Sequence, residues 1–97
     1  MVKHIVCFKI KEECKNRIEE AKNTLLSMVG NVPMLRKIVV GVDFLHSERS
    51  YDIILETWFD SVEDLNDYQN DPYHCSVVKK LMHEIREASV AIDYFEE

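Results

Sequence analysis

The sequence predicts an α+β fold, a four-stranded antiparallel sheet with helices on one face. Four segments rich in β-branched and aromatic residues alternate with two amphipathic helical regions. Their order is strand, helix, strand, strand, helix, strand, and no linker or low-complexity segment interrupts it. The only two glycines and two prolines punctuate this pattern.

Residues 2–10 form the first predicted strand, with Val2, His4, Val6, Phe8 and Ile10 on one face. His4 therefore points with the apolar set. Residues 12–29 follow helical spacing, with Ile18, Ala21, Leu25, Met28 and Val29 as a buried stripe. Gly30-Asn31 end that helix and Pro33 prevents its resumption. Residues 34–42 form the second strand, in which Gly41 implies a bulge or a close backbone approach. After a polar loop, residues 51–59 ("YDIILETWF") form the third strand. Ser61 caps a short helix carrying Val62, Leu65 and Tyr68. A longer helix is predicted from Pro72 to about Glu87, burying Val77, Val78, Leu81, Met82 and Ile85. Residues 89–95 ("SVAIDYF") form the fourth strand. This order is the ferredoxin-like βαββαβ arrangement in a single domain, residues 1–97.

In three strands both alternating faces carry large apolar residues. A sheet wetted on one side would be polar there. With helices for only one face, a second copy of the chain is the expected cover, and a homodimer with sheets face to face follows. Asp52 and Glu56, on one strand face with Ile54 and Trp58, are then expected to pair with Arg36 or Lys37 at that interface, with lining of the cleft as the alternative.

The net charge is −6 and the cations are scattered, so a nucleic-acid partner is not expected. No run of about 18 apolar residues exists and the N-terminal run alternates, so neither a membrane span nor a signal peptide is read here. Cys7, Cys14 and Cys75 fit no zinc or C-x-x-C spacing. Three free thiols suit a reducing compartment, and the expected location is cytoplasmic. His4, His74, Asp52 and Glu56 match no local ligand motif, so no metal or cofactor is expected. His46 and His83 are read as solvated. Cys75 and His74, neighbours on a helix, project about 100° apart and do not form a dyad.

The candidate site lies in "DYQNDPYHCSVV", residues 67–78. Asp71 is suited to N-cap a helix and Pro72 to begin it. His74 then sits in the first turn, where the helix dipole disfavours imidazolium. A neutral imidazole suits a general base near pH 7. Tyr68, one short loop away, is placed to present its hydroxyl to the same space.

The opening "MVKHIVCFKIK", the long segment "YDIILETWFDSVEDLNDYQNDPYHCSVV" and the closing "VAIDYF" together resemble the stress-responsive A/B barrel (Dabb) family. The resemblance covers nearly the whole chain. It implies a dimeric α+β barrel with a small cleft between sheet and helices in each subunit, and a small aromatic or polyketide-like ligand. In one plant branch, polyketide cyclases close a linear chain by an intramolecular aldol step. The resemblance maps their base onto His74 and their assisting tyrosine onto Tyr68, with His4, Val6 and Phe8 as pocket residues. The chain departs from the family where relatives often carry a histidine before the proline; here it is Asp71. Three functions are expected in this order: a small-molecule-binding stress-response barrel, a polyketide-cyclase-like lyase, and a cofactor-free monooxygenase of the same barrel architecture.

Overall fold

The computed structural model describes residues 1–97. The strands are β1 (Val2–Ile10), β2 (Lys37–Val42), β3 (Ile53–Phe59) and β4 (Arg86–Phe95). The α-helices are α1 (Ile18–Leu26), α2 (Val62–Gln69) and α3 (Lys80–Ile85). All strand pairs are antiparallel, in the sheet order β2-β3-β1-β4. β1 is central, so its inward side chains lie at the middle of the sheet and beneath the helices.

The predicted face of β1 is the inner one: Val2, His4, Phe8 and Ile10 are buried and Val6 packs against the core. Ile53, Leu55 and Phe59 extend that layer on β3. Ala21, Leu25 and Met28 close it from one helical region, and Val78, Leu81, Met82 and Ile85 from the other. Gly41 is a close approach: a Cβ there would lie 2.9 Å from Ile54 Cγ2. Gly30 ends the first helical region at φ +82°, which costs glycine little.

The first helical region is not one helix. Glu12–Arg17 is a 3₁₀ segment that leads into α1. Lys11 offers no side-chain cap, and tight turns are common at such an uncapped start. α1 ends at Leu26, so Val29 leaves the buried stripe and stands 64% exposed, while Val32 takes the inner place. The second and third strands begin at Lys37 and Ile53, later than their β-rich composition suggests.

The second helical region also differs. A π-helical turn, His74–Lys79, precedes α3, and the helix stops at Ile85. Arg86 is already extended, because β1 is long enough to pair β4 from Ile10↔Arg86 to Val2↔Phe95. The wider turn shifts the helical phase, and Val77 emerges exposed.

Asp52 is committed within the chain rather than to Arg36 or Lys37. Its carboxylate accepts the Ile10 N–H at 2.7 Å and Lys15 Nζ at 2.9 Å, replacing a strand partner at the end of β1. Arg36 pairs instead with Asp60 at 2.8 Å. Glu56 pairs with Lys3 at 3.0 Å on the open sheet face, where Lys3 and Lys37 both lie over the Trp58 ring.

Candidate functional site

The site is built by the segment that links α2 to the π-helical turn. Ser61 caps α2 by accepting the Asp64 N–H at 3.0 Å, and this phase places Tyr68 on the inner side, 1% exposed. Asp71 then starts the next helical region. Its Oδ2 accepts the His74 N–H and its carbonyl the Cys75 N–H, each at 2.9 Å. The residue that stands where relatives often carry histidine is thus a buried helix cap.

His74 is held from two sides. Its Nδ1 bonds the Tyr68 carbonyl oxygen at 2.9 Å. A carbonyl only accepts, so Nδ1 carries the proton and Nε2 keeps its lone pair in the neutral ring. The imidazole also stacks on the Tyr68 ring, with centroids 3.9 Å apart and planes 18° apart. Burial pushes the His74 pKa down to about 4 against the opposing Tyr68 carbonyl bond, with Lys79 and His4 pushing the same way as burial.

The Tyr68 hydroxyl donates to the Met28 thioether at 3.8 Å. Burial, and then the charge of Asp71, hold that phenol protonated far above its ordinary range. Tyr68 therefore meets His74 through its ring and its carbonyl. His4 meets the Tyr68 ring edge-on, 6.0 Å between centroids. The His4 ring also meets, through Nδ1, the carboxylate of Asp93, its register partner on β4.

These groups open onto a cavity of about 210 Å³ between sheet and helices. His4, Val6, Phe8, Tyr68 and His74 all line it. Leu55 and Met82 add apolar wall. Lys79, His83 and Arg86 line it as well, and sequence reasoning did not place them there. His83, read as solvated, is exposed and yet belongs to this lining. On a regular helix, five residues turn about 140° past a full turn, which points Lys79 away from His74. The π-helical turn brings the two to one cavity.

His46 stands in an exposed loop, at φ +54°. Cys75 is exposed, with its thiol on the Gln69 carbonyl, and takes no part in the cavity. Asp52 and Glu56 are engaged away from His4 and His74, with Ile10 and Lys3 respectively.

Fold and site define a small ferredoxin-like α+β domain with a cleft between its sheet and its helices. The profile of the Stress responsive A/B Barrel Domain family, Dabb, matches residues 2–96, and the chain belongs to that family. Olivetolic acid cyclase of Cannabis sativa is 33% identical over 76 residues, 75% of each chain. A dimeric protein of unknown function and ferredoxin-like fold from Bacteroides fragilis superposes with a TM-score of 0.84 at 28% identity, over 96% of this chain and 93% of that one. Hydroxynitrile lyase from Passiflora edulis shares the fold, with a TM-score of 0.79 at 20% identity over 99% and 93% of the two chains.

Proposed function

We propose that this chain acts as a homodimer that binds a small organic molecule in the sheet–helix cleft. The observation that carries the reading is His74: a buried, neutral imidazole at a largely apolar cavity, with its proton on Nδ1 and its Nε2 lone pair unused. The open sheet face supports the dimer, since Val90, Ile92 and Tyr94 are 52%, 65% and 42% exposed there. The Bacteroides fragilis relative, described as dimeric, supports it too. Three free cysteines suit a cytoplasmic setting.

The same observation favours a second reading, a polyketide-cyclase-like lyase. Nε2 takes a proton next to a substrate carbonyl, and the resulting enolate attacks a second carbonyl within the same molecule. Tyr68 assists by position: its carbonyl fixes the tautomer and its ring fixes the plane of the base. The cyclase relative supports this reading.

Deuterium uptake at the methyl group of acetophenone tests the base. The wild-type protein should accelerate uptake, and His74→Ala should lose about a hundredfold of that acceleration with its dimer intact. Equal rates for the two proteins would remove the base and leave only the binding cleft.

A further inference from the structure

The cavity lining contains no aspartate or glutamate, in a chain with 18 of them and a net charge of −6. It does contain Lys79 and Arg86, both half-buried. Arg86 Nη1 bonds the Ser89 hydroxyl at 2.8 Å and Lys79 Nζ bonds the Gln69 carbonyl at 2.9 Å. Neither forms a salt bridge. The carboxylates beside them in sequence are engaged elsewhere: Glu84 with Arg17 at 3.0 Å and Glu87 with Lys9 at 3.7 Å. Asp71 caps the His74 turn, and Asp93 is bonded to His4.

Two cations partly withdrawn from water, without counter-ions, carry an uncompensated desolvation cost. An anion arriving from solvent compensates it and gains charge-assisted hydrogen bonds, and a planar carboxylate matches the guanidinium fork. Beyond the cations, Val6, Phe8, Leu55 and Met82 supply apolar wall, and the polar remainder of the lining is uncharged side chains such as Gln69 and Ser89 together with the histidines.

We propose that Arg86 and Lys79 form a carboxylate subsite, so that the molecule taken by this cleft is an organic acid with an apolar or aromatic body. The inference deepens the reading of the cleft as a small-molecule site and rests on it. The acid group stays at the cations while the body reaches inward towards His74 and Phe8. The positive field of the subsite also steers anions to a protein that repels them elsewhere.

The test compares trans-cinnamate with its neutral isostere trans-cinnamamide, titrated at pH 7 and low salt while the His4 and His74 ring signals are followed by NMR. The wild-type protein should bind the acid about tenfold more tightly than the amide. Arg86→Gln and Lys79→Met should each shrink that preference and Arg86→Lys should retain part of it, with each variant's urea unfolding midpoint serving as the check on the fold. Amide and acid binding equally in the wild type, or a preference that survives both neutralising changes, would overturn the carboxylate subsite and leave the cleft standing. If neither compound shifts the two histidines, the small-molecule reading fails and the subsite fails with it.

Discussion

The imidazole of His74 lies nearly flat on the ring of Tyr68 and is tied to the same residue through its Nδ1 and the Tyr68 carbonyl, 2.9 Å apart. One residue thus sets the plane, the tautomer and much of the burial of the candidate base.

Burial of that neutral ring has a consequence for stability. The unfolded chain takes up a proton near pH 6.5, whereas the folded chain resists until about pH 4. Below the unfolded value the unfolded state binds more protons, so the contribution is full above pH 6.5 and is lost as pH falls towards 4. The gap corresponds to roughly 3 kcal/mol. His74→Asn retains a donor for the Tyr68 carbonyl but cannot titrate. Denaturant unfolding of both proteins between pH 7 and 4.5 should show the wild type losing ground to the variant; a constant difference would mean that His74 is charged or solvated in the fold.

Tyr68→Phe removes only the bond to the Met28 sulfur, a weak acceptor. Its cost in urea denaturation should stay below about 1 kcal/mol, with the His74 tautomer unchanged. Tyr68→Ala removes a side chain from the centre of the core and should cost about 3 kcal/mol or more. A large effect of the hydroxyl alone would assign it a role that its contact with Met28 does not supply.

Asp52→Ala strands the Ile10 N–H and releases Lys15. A stability loss of about 2 kcal/mol is expected, with subunit affinity unaltered. Weaker dimerisation without a change in unfolding would instead return Asp52 to the interface.

Ile92→Asp places a charge on the open sheet face, 65% exposed in the single chain. Sedimentation should report a monomer at micromolar concentration for this variant and a dimer for the wild type. A variant that remains dimeric would locate the subunit contact elsewhere.

Periodicity made the fold legible. The inner face of β1, the Ser61 cap, the Asp71-Pro72 start and the two-faced sheet all follow from spacing and residue type. The last helix–strand boundary was misplaced because tertiary pairing overrides local propensity: β4 begins at Arg86 because β1 offers it a partner there. Asp52 was misread because a strand pattern assigns a face but cannot show that its carboxylate bends back to a backbone N–H. Tyr68, His74, His4, Val6 and Phe8 line the cavity that the resemblance implied, but the Tyr68 hydroxyl, expected to face that space, turns to the Met28 sulfur instead. Lys79 and Arg86 were not legible, since one depends on a π-helical turn that leaves no sequence signature and the other on where a helix gives way to a strand.

The central claim is a neutral His74 with its proton on Nδ1, and the direct measurement is a pH titration of its ring nitrogens by ¹⁵N NMR. The account predicts the Nδ1–H tautomer at pH 7 and a midpoint near 4. An Nε2–H tautomer at pH 7, or a midpoint close to the ordinary 6.5, would contradict it.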